Sequence, residues 1–112
     1  MAGGSEYIVV FITAASQEEA RRIADILVNS RKAACVSIVP QVHSKFWWRG
    51  KIDSADEALL IVKTKSSLLN ALVKLVKENH SYEIPEIIAL PIIGGSKDYL
   101  NWLDEETSKE SA

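Results

Sequence analysis

The sequence predicts an α+β fold, in which a four-stranded antiparallel sheet is covered on one face by two helices. Three observations support this prediction. Short runs rich in β-branched and aromatic residues alternate with amphipathic stretches of helical period. The order of these runs is βαββαβ, and two of the strands are joined by a two-residue turn. This order is that of a ferredoxin-like sandwich, here with a long central hairpin and a short extra C-terminal helix.

The first strand and the first helix are predicted within residues 7–29. Residues 7–14 form a run rich in Val and Ile, which is typical of a central strand covered on both faces. Ser16 and Glu19 have the spacing of a capping box, with Ser16 as the N-cap. Apolar residues then recur at helical spacing, at Ala20, Ile23, Ala24 and Leu27. We therefore expect an amphipathic helix that ends near Asn29.

Two long strands follow, at residues 33–48 and 51–65. Pro40 has no amide hydrogen to donate, so we expect a bulge or an edge position there. Arg49 and Gly50 predict the tight turn between the strands, because glycine tolerates the positive φ of hairpin turns. A straight strand of this length spans about 50 Å, whereas a compact domain of this size is about 34 Å across. The hairpin must overhang its own domain or bend sharply at Pro40.

The second helix is expected to be capped by Ser66 or Ser67. Its buried stripe is formed by Leu68, Leu72, Leu75 and Val76. Asn79 is a candidate left-handed residue at its end.

The last third of the chain is predicted to contain a loop, a strand and a short helix. Residues 80–86 form the loop and residues 87–93 the fourth strand, with Pro91 indicating an edge or a bulge. Ser96 caps the last helix, which presents one apolar face made of Tyr99, Trp102 and Leu103.

The 112 residues correspond to one domain, predicted at 7–104, between a flexible leader at 1–6 and a frayed acidic tail at 105–112. Thirteen Lys and Arg against fifteen Asp and Glu argue against binding to nucleic acid or to an acidic membrane surface. No run approaches the ~20 apolar residues that cross a bilayer. With a single cysteine, Cys35, and no signal-peptide pattern, we expect a cytoplasmic protein.

The distal part of the hairpin carries three aromatic residues, Phe46, Trp47 and Trp48, which a monomer would leave in water. Exposed aromatic patches of this kind usually mark an interface. We expect hairpins from several identical chains to interlock in a closed ring, pairing their edges and burying these side chains. The alternative is that the aromatic residues fold back onto their own sheet.

Five motifs occur in order between residues 33 and 102: AACVSIVP at 33–40, WWRGK at 47–51, LIVKT at 60–64, HSYEIPEI at 80–87 and YLNW at 99–102. They resemble the motifs of the CutA family of divalent-cation tolerance proteins. The resemblance implies a ferredoxin-like fold, a homotrimer assembled through the long hairpins, a link to copper tolerance and no established enzymatic activity. It also implies an architecture similar to that of PII signalling proteins.

The resemblance further implies a metal site at His80 and Glu86. A third ligand suggested for some members, a cysteine near the end of the first strand, is replaced by Ile12. Imidazole and carboxylate suit Cu(II) or another divalent cation, but two ligands make a weak site. The alternative is that Glu86 is hydrogen-bonded to the backbone and His80 is a solvated loop residue.

A second cluster of family motif positions is polar or amphipathic: Trp48, Glu57, Lys63, Tyr82 and Glu86. If hairpins cross between subunits, these residues are expected to meet in an intersubunit pocket, where ligand sites often form. The alternative is an interface hydrogen-bond network that holds no ligand.

The residues argue against two competing functions and leave a third as the alternative. An RNA-recognition domain needs stacking aromatic residues on its central strands, but the third strand carries Asp53, Asp56 and Glu57. An acylphosphatase needs an arginine in the loop after the first strand, which residues 13–17 lack, so we expect no enzyme. A PII-like small-ligand sensor or a protein-anchoring scaffold is the alternative function, although the Arg49-Gly50 turn is short for a PII-like loop.

Overall fold

One four-stranded antiparallel sheet organises the molecule, for which a computed structural model describes residues 6–110. The strands lie in the order β2-β3-β1-β4. The elements along the chain are β1 (Tyr7–Ala14), α1 (Gln17–Asn29), β2 (Cys35–Trp48), β3 (Lys51–Lys65), a 3₁₀ turn (Ser66–Leu68), α2 (Leu69–Asn79), β4 (Ile87–Pro91) and α3 (Lys97–Ser108). This architecture confirms the predicted α+β fold and its βαββαβ order.

The core lies between one face of the sheet and the helices α1 and α2. Alternate residues of β1 point into it, namely Ile8, Val10, Ile12 and Ala14. The helices contribute Ile23, Leu27, Leu72 and Val76 among others. The apolar residues that alternate along the strand and those that recur at helical spacing both point to this side. The packing of the core therefore agrees with the sequence pattern.

The opposite face of the sheet is only partly covered. The residues of β1 on that face are half-buried, except for the buried Thr13, so the prediction that β1 is covered on both faces holds only in part. Strand register places these apolar side chains together on that face, which we name the open face: Val9, Phe11, Val39, Leu59, Ile61, Ile88 and Leu90. α3 covers only one end of it, where Lys65 Nζ lies 3.0 Å from Asp104 Oδ1 and 2.8 Å from Ser108 Oγ. Val39, Ile88 and Leu90 stay exposed.

The hairpin of β2 and β3 extends past the end of β1. β1 stops at the Ala14–Ala58 pair, but β2 and β3 continue to pair up to Trp48 and Lys51. The register shifts between Val39 and Val42, which confirms the disturbance predicted at Pro40. We name residues 42–57 the distal hairpin. The molecule measures 44 × 33 × 22 Å, and its long axis exceeds the diameter of about 34 Å expected of a compact domain.

The structure corrects two predicted caps. Ser66 and Ser67 lie in the 3₁₀ turn, so α2 starts after Leu68 without a side-chain cap. Ser66 instead donates to the carbonyl of Glu6, from its amide at 2.9 Å and from its hydroxyl at 3.3 Å. Asn79 is the last residue of α2, and its side-chain amide donates to the carbonyl of Leu75 at 2.8 Å. It is not among the residues of 6–110 that have positive φ.

The C-terminal helix is longer than expected. α3 begins after Ser96, whose hydroxyl accepts from the Tyr99 amide as predicted, and continues to Ser108 with Leu103 and Thr107 buried. Arg31 Nη1 lies 2.8 Å from Glu106 Oε1. Helical structure thus extends four residues into the predicted frayed tail. Residues 1–5 of the predicted leader and residues 111–112 lie outside the described residues.

None of the helices within residues 6–110 combines the length and the apolar character that crossing a membrane requires.

The turn of the hairpin provides a test of the fold through two glycines. Gly50 has φ +80°, whereas Gly94 has an ordinary φ, and a Cβ would meet no atom within 4 Å at either position. Gly50→Ala is expected to lower the free energy of unfolding by about 1 kcal/mol, because a left-handed conformation is unfavourable for alanine. Gly94→Ala is the matched control and should leave it unchanged or slightly raised. Chemical denaturation measures both, and equal effects would contradict the prediction.

Candidate functional site

A cleft of about 880 Å³ lies between the distal hairpin and the loop of residues 80–86. Strand register explains its hairpin wall. Phe46 and Trp48 of β2 face the same way as Asp53 and Glu57 of β3, because residues opposite each other in an antiparallel pair share a face. All four line the cleft. Tyr82 and Glu86 line it from the loop.

The structure brings together most of the predicted pocket within one chain. Trp48, Glu57, Tyr82 and Glu86 all line the cleft. Lys63 does not, because it lies farther along β3, beside the start of β2, with Nζ 2.7 Å from Ser37 Oγ and 3.8 Å from Cys35 Sγ. The walls of this cleft belong to a single chain, and an intersubunit location stays a prediction.

His80 is a buried structural residue at the base of the loop, not a solvated one. Its Nε2 donates to the carbonyl of Thr13 at 2.7 Å, and its Nδ1 accepts from the amide of Tyr82 at 3.0 Å. A carbonyl can only accept and an amide N–H can only donate, so these bonds define a neutral ring with the proton on Nε2. The side chain has no exposed surface. Both ring nitrogens are therefore engaged inside the protein.

The metal site at His80 and Glu86 stays a prediction, and the geometry favours only one of its two ligands. A metal ligand needs a free ring nitrogen, and His80 has none, while Glu86 is an exposed carboxylate of the cleft. Ile12, at the position of the suggested third ligand, is fully buried in the core. Within residues 6–110, no group of three or more His, Cys, Asp or Glu residues is placed to hold a metal ion.

Glu19 anchors the loop, a role that the sequence analysis missed. Ser16 Oγ accepts from the Glu19 amide at 3.1 Å, as a capping box requires. The Glu19 carboxylate, however, accepts from the amides of Ala15 and Ser81, each at 3.0 Å. The bond to Ser81 spans 62 residues along the chain. No local sequence pattern indicates it, because Ser81 comes close only when α1 and α2 pack side by side.

The hydrogen bonds of Glu19 decide its ionisation. Burial alone would raise its pKa, but the bonds from Ala15 and Ser81 favour the charged form and outweigh burial. The pKa of the Glu19 carboxyl therefore lies below its usual 4.5.

Tyr82 and Glu57 form the polar floor of the cleft. Burial, followed by a hydrogen bond to the Glu57 carboxylate, raises the pKa of Tyr82 to about 12. The phenol thus stays protonated and donates to Glu57. The Tyr82 ring also packs on His80, with 4.9 Å between centroids. Glu57 is only 7% exposed, and this depth is unusual for a carboxylate.

Arg49 links the hairpin turn to the loop at the rim of the cleft. Its guanidinium carbon lies 5.3 Å from the centre of the Trp48 ring, within the range of a cation–π interaction. Its Nη2 lies 3.4 Å from Glu83 Oε2. One cation thus binds an aromatic face and a carboxylate together.

Comparison with known proteins gives a consistent result. The family model for "CutA1 divalent ion tolerance protein" matches residues 8–106. The divalent-cation tolerance protein CutA of Thermus thermophilus is 48% identical over 88% of this chain and 96% of its own length. The chloroplastic protein CutA 1 of Oryza sativa is 49% identical over 89% of this chain, which spans only 56% of that protein.

A solved structure agrees with the fold. The periplasmic divalent cation tolerance protein CutA from Archaeoglobus fulgidus superposes with a TM-score of 0.88 at 46% identity, over 90% of this chain and 98% of its own.

These relatives overturn the expected cytoplasmic location. The Archaeoglobus protein is described as periplasmic and the Oryza protein as chloroplastic. Relatives of this chain are therefore described from more than one compartment. The prediction of a cytoplasmic location was therefore wrong. It rested only on composition and on the lack of a signal-peptide pattern.

The anchoring role of Glu19 predicts a pH-dependent stability. Because its pKa is lower in the folded than in the unfolded chain, ionised Glu19 stabilises the fold above pH 4.5, and this contribution is lost as the pH falls through the folded-state pKa. Glu19→Gln should lower the free energy of unfolding by about 1–2 kcal/mol at pH 7, and the difference from wild type should narrow in acid. Denaturation at several pH values measures this.

Glu18→Gln is the matched control, since Glu18 is exposed in the same first turn of α1. It loses the same charge near the helix N-terminus but no bond to the loop. An equal loss of stability in both variants would contradict the anchoring role.

Proposed function

Because the chain belongs to the CutA1 divalent ion tolerance family, we propose that it takes part in the tolerance of divalent cations, Cu(II) among them, as a non-enzymatic homotrimer. The observation that carries this proposal is the family match over residues 8–106, together with a fold that superposes on a family member along nearly its whole length. In this proposal the divalent cation is bound by the protein or tolerated through it, and it takes part in no reaction.

The uncovered apolar surface supports assembly into a homotrimer. The open face leaves Ile88 52% and Leu90 42% exposed, and Trp47 and Ile52 of the distal hairpin are 72% and 66% exposed. β2 and β4 are both edge strands with unpaired backbone on one side. Exposed edges and apolar patches of this kind are unfavourable in a monomer. A closed ring of copies would cover them, with Phe46, Trp47 and Trp48 expected at the interface.

The side chains nearest to the cleft support a role without catalysis. His80 is engaged with backbone groups at both nitrogens. His43 Nδ1 lies 2.8 Å from Asp56 Oδ1, on the face of the hairpin that Phe46 and Trp48 do not share. Neither imidazole is positioned as a base beside a hydroxyl or thiol nucleophile, as covalent catalysis would require.

We propose that Cu(II) or another divalent cation is bound weakly, through the exposed carboxylate of Glu86 and not through His80. Carboxylate oxygens accept such cations, whereas binding at His80 would break one of its two buried hydrogen bonds.

The cleft also favours a second function, the binding of a small ligand, as in the PII-like alternative. Its volume and its mixture of aromatic and polar walls are typical of small-molecule sites.

The oligomeric state is tested by light scattering on the wild type and two variants. We expect the wild type to have three times the mass of the chain. Ile88→Asp should reduce this to a single chain, because it places a charge on the open face. Val28→Asp is the control: Val28 is 42% exposed on α1, close to the 52% of Ile88, but lies away from that face. Circular dichroism verifies that each variant is folded. A wild-type monomer would contradict the proposal.

Copper titration tests the two predicted ligands separately. Glu86→Ala should weaken Cu(II) binding severalfold, because it removes an exposed donor. His80→Ala should leave the affinity unchanged and lower the melting temperature, because it removes two buried hydrogen bonds. Calorimetry measures binding, and thermal unfolding shows that each variant is folded at the titration temperature. Loss of binding in His80→Ala alone would make His80 a ligand after all.

A further inference from the structure

We propose that α3 is a strap held to the sheet by a charged latch, and that it opens as one unit while the rest of the fold stays intact, which uncovers the thiol of Cys35. The latch consists of two ion pairs, Arg31–Glu106 and Lys65–Asp104. This inference goes beyond divalent-cation tolerance and does not rest on it. It is drawn from the packing of α3, from the contacts of its C-terminal half and from the backbone conformation of Arg31.

The packing of α3 is separate from the main core. That core lies between the other face of the sheet and the helices α1 and α2, and among the described residues none of α3 belongs to it. Of the 12 residues of α3, only Leu103 and Thr107 are buried. Segments with few buried apolar contacts open at a lower free energy than the core does. α3 can therefore leave the sheet without disturbing the packing of α1 and α2.

Charged contacts hold the C-terminal half of α3. Arg31 Nη1 lies 2.8 Å from Glu106 Oε1 and donates to the Glu106 carbonyl at 3.3 Å. The side chain of Lys65 is only 13% exposed, and its Nζ lies 3.0 Å from Asp104 Oδ1. Hydrogen bonds from Lys109 and Arg31 hold the pKa of the Glu106 carboxyl below its usual 4.5. The latch is therefore charged at neutral pH.

The backbone of Arg31 is strained at the point where the latch begins. Arg31 follows the end of α1 with φ +61°, a conformation in which glycine is the usual residue. The amides of Arg31 and Lys32 donate to the carbonyls of Val28 and Leu27, at 3.1 and 3.0 Å, as in a Schellman motif. The side chain that makes this position unfavourable is the one that reaches α3, so the contact with Glu106 offsets the strain.

The N-terminal half of α3 covers Cys35, the single cysteine of the chain. Burial, the charge that Cys35 can carry and a hydrogen bond with its thiol raise the pKa of Tyr99, so the phenol stays protonated beside Sγ. Lys63 Nζ lies 3.8 Å from the same sulfur. When α3 leaves the sheet, Tyr99 leaves with it, and reagents can reach the thiol. The reactivity of Cys35 therefore reports the opening of α3.

Hydrogen exchange measured by mass spectrometry tests whether α3 opens by itself. In the wild type we expect the amides of α3 to exchange at least about tenfold faster than those of β1. β1 is paired on both sides within the sheet, so its amides exchange only when the whole fold opens. Equal protection of α3 and β1 would mean that α3 opens only with the whole fold, and would overturn the proposal.

Two variants test the latch itself. Arg31→Gly removes the guanidinium and relieves the strain at positive φ, whereas Glu106→Gln removes the partner charge. Each should speed the exchange of α3 about fivefold or more, because a charged hydrogen bond is lost. In Arg31→Gly the exchange of β1 should not be accelerated, because relief of the strain offsets the lost ion pair.

Glu105→Gln is the matched control for Glu106→Gln. Glu105 is exposed in the same turn of α3 and forms no ion pair within the described part of the chain. Its variant loses the same charge and should exchange like the wild type. Equal acceleration of α3 in the two variants would overturn the assignment of the latch.

Labelling of Cys35 with a maleimide tests what the opening uncovers. Because the chain has one cysteine, the reaction reports a single position. Arg31→Gly and Glu106→Gln should each raise the labelling rate about fivefold or more, and Glu105→Gln should react like the wild type. The same rate in all four proteins would mean that α3 does not control access to the thiol, and would overturn the proposal.

Light scattering on the same samples separates the strap from assembly. If α3 opens faster only in variants that have also lost the mass of the wild type, α3 is part of an interface between copies, and the proposal fails. A wild type with the mass of one chain, in which both latch variants still accelerate α3, would contradict the proposed homotrimer alone.

Discussion

The buried carboxylate of Glu19 holds together the segments that meet at the cleft. It accepts from Ala15, at the junction of β1 and α1, and from Ser81, in the loop that follows α2. His80 adds the bond to Thr13 at the end of β1. These bonds hold the start of the loop against the end of β1 and the start of α1. Tyr82 and Glu86 owe their places in the cleft to this anchor, and Tyr82 in turn places its phenol on Glu57.

The second constraint is the length of the hairpin. β2 and β3 continue to pair after β1 has ended, so the distal hairpin has no neighbouring strand beside it. The loop of residues 80–86 lies beside the distal hairpin instead of a longer β1, and the gap between this loop and the hairpin is the cleft. The same extension leaves Trp47 and Ile52 exposed. One feature of the sequence thus creates both the candidate ligand site and part of the surface proposed to assemble, and Phe46, Trp47 and Trp48 belong to both.

Local patterns predicted the elements well where local energetics decide them. The bounds of β1 and β3, the Ser16 and Ser96 caps and the Arg49-Gly50 turn agree with the structure, because each depends on residues close together in the chain. Ser66 and Ser67 were predicted to cap α2, but they lie in a 3₁₀ turn, and Ser66 donates to the carbonyl of Glu6 instead. The length of α3 was underestimated, because Asp104 and Glu106 pair with Lys65 and Arg31 from distant segments.

The sequence by itself determined the fold, the strand order along the chain, the family and four of the five cleft residues, since periodicity and spaced motifs are properties of neighbouring residues. Only the tertiary structure decided what those residues do. It placed Lys63 beside Ser37, hydrogen-bonded both ring nitrogens of His80 to the backbone, and buried Glu57 beside the phenol of Tyr82. Burial and hydrogen-bond partners depend on segments up to 75 residues apart, and no local pattern contains them.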